Sequence, residues 1–592
     1  MKSIRLHQGI RMLVLWVRHK MTDRQFFILS SVFVGLSAGL VAVGLKFLVH
    51  QTAALVADYS ETYKMFWLFA FVPMIGISLT TVYVIKFLNG NLNKGSAEIQ
   101  YAIAKQSSIL PSRQMYSHVI TSALTVGLGG STGLESPIVS TGAAIGSNYA
   151  RAYTLSYKER TILLACGAAA GIAAAFNAPI AGVLFAIEVV LTDISLTAFI
   201  PLIIAAACGA LLSKIILKEG LVMSFTLRQP FDFHNVPFYV LLGLLAGFLS
   251  LYYVRTFVGT QNLIQRIKTP WLRVGIGGFT LAILIMAFPP LFGEGYHTVS
   301  ILADLKPAIL SDHSMVKNWV QGDWPILLFL LCVMLSKSVA AGLTLGSGGN
   351  GGNFGPSLFM GAYLGFSFAR FFNQVGLAHI PETNFALVGM AGVLSGIFHS
   401  PLSAIFLIAE ITGGYELMIP LMIVSALSLA VAKHFEPLSM EAKKLTERLK
   451  HSIANRDHFL LSKIELDKFI ETDFIPLHES DKLQSLINAI SISRRNTFPV
   501  LNQKQELVGI IHLDHVRATI FQAELYETVY IKDLMVTPSA VIAPQESLHD
   551  VLKKFDDAHQ WNLPVIENNR YVGFVSKSSI LSRYREELMQ TV

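Results

Sequence analysis

The chain has 592 residues, 53% hydrophobic and only 14% charged, with a mean hydropathy of +0.52, so water is not the solvent for most of it. Its formal charge of +7 suits anionic lipid headgroups and a topological bias; no basic–aromatic pattern points to nucleic acid. The three cysteines, Cys166, Cys208 and Cys332, stand singly in apolar segments and read as free packing thiols, neither disulfides nor metal ligands.

In chain order, residues 1–25 form a basic segment carrying Lys2, Arg5, Arg11, Arg18, Lys20 and Arg24. The positive-inside rule puts it in the cytoplasm, and its apolar core Met12–Trp16 is too short for a cleaved signal peptide. Apolar runs of spanning or near-spanning length follow at Phe26–Leu45, Phe66–Ile85, from Leu196, Phe238–Val254, Val274–Phe288, from Ile326 and Phe385–Ile408. Several are short, or are interrupted by Gly, Pro or Asn, which suits broken and re-entrant helices buried in protein. Residues 26–435 are therefore expected to be the membrane domain. Residues 436–468 are charged and helix-prone, a linker.

The region 127–146 holds a single carboxylate, Glu135, among glycines and apolar residues. Such an acid is expensive to keep in a membrane and is functional by default. The glycines let backbone N–H groups approach a small ligand, Pro137 suits the opening of a helix, and N–H groups at a helix start attract anions. A carboxylate is itself an anion, so Glu135 could fill such a site until displaced or protonated.

The pattern recurs. Gly133-Leu-Glu-Ser-Pro137 leads to Gly142 and Gly146 as Gly352-Asn-Phe-Gly-Pro356 leads to Gly361 and Gly365. Downstream, Pro179 precedes Glu188 by the same number of residues as Pro401 precedes Glu410. Two ordered landmarks repeated at nearly one offset argue for an internally duplicated membrane domain, repeats about 26–215 and 236–435, with substrate bound where the repeats meet. Residues 469–592 carry a shorter duplication, with halves about 469–526 and 531–588. In it Phe498-Pro-Val-Leu leads to Val508-Gly-Ile-Ile, and Leu563-Pro-Val-Ile to Val572-Gly-Phe-Val. Each is a β-turn-β signal in a soluble α/β tail. With no returning span, the tail is expected to share the cytoplasm with the N-terminus.

These motifs resemble the CLC chloride channels and chloride/proton antiporters, with a C-terminal pair of CBS modules. The resemblance rests on Lys337 to Pro356, on Phe176-Asn-Ala-Pro-Ile-Ala-Gly-Val-Leu-Phe-Ala-Ile-Glu188 and on Gly133–Pro137, and covers the chain from about Phe26 to Leu588. It implies a polytopic α-helical membrane fold of two inverted repeats, plus a cytoplasmic CBS pair. It implies a homodimer in a plasma or inner membrane, transporting chloride and similar anions and not acting as an enzyme. By the same resemblance Glu135 is the gate. Gly133, Leu134, Asn353 and Phe354 offer backbone N–H groups to the anion, and Ser96 and Tyr415 offer hydroxyls, ligands that replace hydration without holding the ion too tightly.

Three departures matter. The family's G-S-G-I-P is here Gly95-Ser-Ala-Glu98, without proline. Antiporters usually carry a second glutamate after the position matched by Glu188, where this chain has Val189, so a passive channel is expected and coupled exchange is the alternative. CBS pairs that hold adenine nucleotides usually have an Asp where this tail has His515 and Ser579, with Asp514 one residue off, so no cofactor is expected. Bland readings stand beside these. Tyr415 suits an interfacial tyrosine, Ser96 a helix N-cap, Glu188 and Glu410 structural acids, and Lys337 a snorkelling or paired lysine. Gly346 to Gly351 satisfies G-x-G-x-x-G but follows a membrane span, which speaks against a dinucleotide site.

Overall fold

The computed structural model describes residues 21–63, 69–92, 95–191, 196–217, 229–449 and 466–582. The basic residues from Lys2 to Lys20, and part of the expected linker, lie outside these. The chain divides into two units, Met1–Glu447 and Arg448–Val592.

Among the described residues of the first unit, seven helices are long and apolar enough to cross a membrane. The duplication read from the sequence appears as two series of helices in the same order. Asp23–Tyr63, Val72–Leu88, Ser96–Lys105 and Gln114–Gly127 lead to Glu135–Ala152, Tyr157–Phe176, Pro179–Phe185 and Leu196–Leu217. Val236–Gln265, Pro270–Ala287, Tyr296–Ala303 and Asp323–Gly346 lead to Phe354–Val375, Glu382–Phe398, Pro401–Ile411 and Met418–Phe435. The apolar run Phe385–Ile408 is two helices, because His399 takes a left-handed φ of 57° ahead of Pro401. Asn177, at φ 54° ahead of Pro179, breaks the first repeat in the same way. The proline ring fixes where the new helix opens, and the residue before it is pushed out of helical conformation. Tyr157–Phe176, which the apolar runs did not mark, is a spanning helix rich in alanine and largely enclosed by its neighbours.

The recurrent glycine pairs have a packing cause. A Cβ at Gly142 or Gly146 would run into the carbonyls of Gly167 and Leu163, and one at Gly361 or Gly365 into those of Gly389 and Phe385. Small residues four apart let two helix backbones approach closely, the favoured solution where lipid gives no hydrophobic drive. The repeats are inverted. Glu188, at the end of the first repeat's short helix, accepts hydrogen bonds at the start of Pro401–Ile411, while Glu410 accepts them at the start of Pro179–Phe185.

The membrane unit runs past the expected boundary at residue 435. A further helix, residues 440–449, returns Met440 and Glu441 to its interior, 3% and 8% exposed. In the second unit the two hairpins form as read, β3 (Thr497–Leu501) with β4 (Leu507–His512) and β5 (Asn562–Glu567) with β6 (Arg570–Ser576). β1 (Ile470–Glu471) adds antiparallel to β6 and β2 (Leu477–His478) parallel to β3. Leu483–Ile492 and Leu548–Ala558 supply the covering apolar faces through residues such as Leu486 and Phe555.

Candidate functional site

The two glycine motifs meet. Gly133 N–H donates to the Gly352 carbonyl at 2.9 Å, and Gly352 N–H returns the bond to Gly133 at 2.8 Å. Glycine is required at both, since a Cβ at Gly133 would stand 2.9 Å from Gly355 N and one at Gly352 2.5 Å from the Ser136 Cβ. Each loop turns directly into a helix, Glu135–Ala152 and Phe354–Val375, with proline in the first turn, where its missing N–H costs nothing. Two helix N-termini, each carrying partial positive charge, thus converge from opposite repeats.

Glu135 is 1% exposed. Its Oε2 accepts from the Gly355 N–H at 3.3 Å, and its Oε1 accepts from the Tyr296 hydroxyl at 2.5 Å. The carboxylate therefore stands at the N-terminus of the opposite repeat's helix, where a mobile anion would also be attracted. Behind it, the Leu134 N–H donates to Glu294 Oε1 at 3.2 Å. Lys337, fully buried, donates from Nζ to Ser131 Oγ and to the Gly293 carbonyl, both at 3.0 Å. It is held inside the protein by these two acceptors and does not snorkel. The N–H groups of Gly133 and Leu134, expected to face an anion, are taken by Gly352 and Glu294.

A cavity next to Glu135 is lined by Ser96, Phe185, Asn353, Phe354 and Glu441 among others. Asn353 is fixed from both ends: its Oδ1 accepts from Tyr253 OH at 2.9 Å and its Nδ2 donates to Met440 Sδ at 3.7 Å. The first N–H groups of a helix have no acceptor inside it, so the start of Phe354–Val375 presents donors here. The Phe354 ring packs at 5.5 Å from that of Phe176, 5.9 Å from Phe185 and 5.6 Å from Phe398, giving the cavity an aromatic wall. Ser96 does line the cavity, but it is not the N-cap of its helix; Gly95, at φ 86°, is.

Tyr415 is elsewhere. It is 58% exposed, in the tight turn that Gly413 and Gly414 make between Pro401–Ile411 and Met418–Phe435. That short connection leaves the ring outside the bundle, as an interfacial tyrosine would be, and Glu441 and Lys444 line the cavity instead. Val189 is 5% exposed and its carbonyl accepts from Gln100 Nε2 at 2.6 Å. Glu188 does not line the cavity. Its carboxylate accepts from Leu402 N–H at 3.1 Å, Ser403 N–H at 2.8 Å and Ser403 Oγ at 2.6 Å. Glu410 is its counterpart, accepting from Ile180 and Ala181 N–H at 3.0 and 2.8 Å. Both acids close helix starts.

Reading the sequence missed Glu294, Tyr296 and Glu441. Glu294 carries a usable signal, an acid between Gly293 and Gly295 in an apolar stretch, as with Glu135. Among the described residues no cluster of His, Cys, Asp or Glu is arranged to hold a metal.

The chain matches the family described as voltage gated chloride channel over residues 77–433 and the CBS domain over 531–586. It is 31% identical to the putative chloride channel protein ClcB-like of Ralstonia nicotianae over 373 residues, 60% of this chain and 80% of that protein. It is 27% identical to the H(+)/Cl(-) exchange transporter ClcA of Klebsiella pneumoniae over 412 residues, 67% of this chain and 83% of that protein. Its fold is that of a slow cyanobacterial Cl-/H+ antiporter (TM-score 0.62, 22% identity, 73% of this chain and 99% of that one). A eukaryotic CLC transporter has the same fold (TM-score 0.58, 18% identity, 93% of this chain and 97% of that one). Two inverted repeats meeting at paired glycine loops and a family match across most of the membrane unit lead to one conclusion: the chain belongs to the voltage gated chloride channel, or CLC, family of anion-transporting membrane proteins and carries a CBS tail.

Proposed function

We propose that this protein conducts chloride and similar small anions passively, as an acid- and voltage-sensitive channel gated by Glu135. The observation that carries the reading is the Glu135 carboxylate on the Gly355 N–H of the opposite repeat, a tethered anion in the place a mobile one would occupy. Protonation removes the charge that holds it there, so acid opens the pathway. A unit charge crossing the whole field gains about 2.3 kcal/mol per 100 mV, so a gate or ion moving through part of it is voltage-sensitive.

Passive conduction is favoured over coupled exchange because Val189 cannot titrate and Glu188 is committed to three donors. The competing reading is chloride/proton exchange, supported by Glu294, a second carboxylate adjoining the gate through Leu134. In either case the working unit is a homodimer with one pathway per subunit, in a plasma or inner membrane, both termini cytoplasmic.

The test is a chloride gradient across proteoliposomes, with chloride efflux and external pH recorded together for wild type and Glu135→Gln. Efflux without proton uptake is expected. Stoichiometric proton movement that disappears in the variant would make the protein an exchanger, and no halide flux at all would sink both readings.

A further inference from the structure

The cavity beside Glu135 holds a second carboxylate, contributed by the helix over residues 440–449. Glu441 is 8% exposed, and its Oε2 accepts from the Ala97 N–H at 3.1 Å, in the first turn of Ser96–Lys105. The seat is shaped for it. Gly95 caps that helix at φ 86°, a conformation glycine adopts without strain, and a Cβ there would stand only 3.0 Å from the same carboxylate oxygen. The other oxygen lies 3.5 Å from Lys444 Nζ, whose side chain is 39% exposed. The arrangement repeats that of Glu135, a carboxylate from one element on an N-terminal amide of another, beside one cavity. Met440, next to Glu441, receives the Asn353 amide at 3.7 Å and so ties this helix to the start of Phe354–Val375.

We infer that Glu441 is a second gate of the anion pathway: its carboxylate occupies an anion seat formed by Gly95 and the Ala97 N–H at the start of Ser96–Lys105, and a transported small monovalent anion takes that seat when the carboxylate swings out. The inference rests on the anion-transport reading above. Lys444, on the same helix and lining the same cavity, is already the ion-pair partner of the seated carboxylate and is exposed enough to stay with it when it swings out. Glu441 lies in the first turn of its helix, so release requires only that turn and the side chain to move. The position has a further consequence. Glu441 lies close in sequence to the end of the membrane unit at Glu447, so the segment leading to the tail is the one that carries the gate.

A gate and a passive helix cap predict different outcomes. Glutamine keeps the shape of glutamate and an oxygen that accepts from Ala97, so Glu441→Gln preserves a cap but removes the charge that competes with a free anion. The experiment uses the full chain in proteoliposomes, measuring chloride efflux for wild type, Glu441→Gln and Glu441→Ala. Chloride titration calorimetry and thermal midpoints of the same proteins in detergent accompany it. Efflux about fivefold faster in Glu441→Gln is expected, of the order of one charge at a helix terminus. One additional chloride bound per chain and an unchanged midpoint are expected with it. Unchanged or slower efflux in Glu441→Gln with wild-type chloride stoichiometry overturns the inference and leaves Glu441 a cap, whether or not Glu441→Ala folds. Absence of anion flux from wild type and both variants refutes the transport reading and this one with it, whereas a transporting wild type indifferent to Glu441 refutes this one alone.

Discussion

At the scale of single residues, charge separates a gate from a ligand. Glu135→Gln keeps one oxygen that accepts from Tyr296 or Gly355 but loses the second acceptor and the charge that a helix N-terminus attracts. Charged hydrogen bonds contribute about 1.5–3 kcal/mol, so efflux at neutral pH should rise about tenfold or more. It should also lose the acceleration that wild type shows on acidification, as efflux traces at two pH values would reveal. Tyr415 gives the opposite expectation. It is exposed in a turn and is not among the residues lining the cavity. Tyr415→Phe should therefore leave chloride efflux and halide selectivity at wild-type values, and a loss of either would restore it to the pathway.

Among the elements, the short helices after Asn177 and His399 depend on each other. Each opens on a proline and has its free N–H groups closed by a glutamate from the opposite repeat. Glu410→Ala uncovers the Ile180 and Ala181 N–H groups and should cost about 1–2 kcal/mol, read as a lower thermal midpoint with little change in anion selectivity. In the tail, the β3–β4 hairpin carries His512, which sits against Thr497 Oγ1 at 3.3 Å. Burial, followed by the neighbouring His515, pushes the His512 imidazole below the usual histidine range, with Asp514 opposing. The neutral form is therefore favoured in the folded tail. The unfolded chain binds more protons as pH falls through and below its ordinary value of about 6.5, so acid destabilises the hairpin. Thermal scans between pH 7.5 and about 5 should show a falling tail transition, flattened in His512→Asn. An unchanged slope in that variant would assign the effect to other groups.

On the scale of the whole molecule, the membrane unit closes its own core and site before the tail begins, since the division falls at Glu447 and every cavity residue precedes it. A chain ending after Glu447 should consequently retain chloride flux in liposomes, with regulation altered. Complete loss of flux from a folded truncated protein would favour a sensor-first architecture in which the tail is primary. Truncation at residue 435 should do worse, because it removes Met440 and Glu441 from the interior.

How much of this was legible depended on the range of the physical cause. Composition, the duplicated glycine and proline signatures, the lone Glu135 and the hairpins of the tail are local or periodic features. Hydrophobic transfer, φ restriction and turn chemistry write such features into neighbouring residues, and from them the membrane fold, the repeat and the buried place of Glu135 at a helix start could be read. The partners across repeats could not. That Glu188 closes Pro401–Ile411, that Tyr296 and Gly355 hold Glu135, and that Glu294 takes the Leu134 N–H are contacts between residues more than a hundred positions apart. Tyr415 and Glu441 show the limit from both sides. One was given a ligand's role by resemblance alone and stands exposed in a glycine turn; the other stood in a charged stretch that looked like a linker and was folded back into the cavity. Sequence sets which residues can be buried or bent; only the closing of one repeat on the other decides which polar groups find each other, because a hydrogen bond depends on position in space and not along the chain.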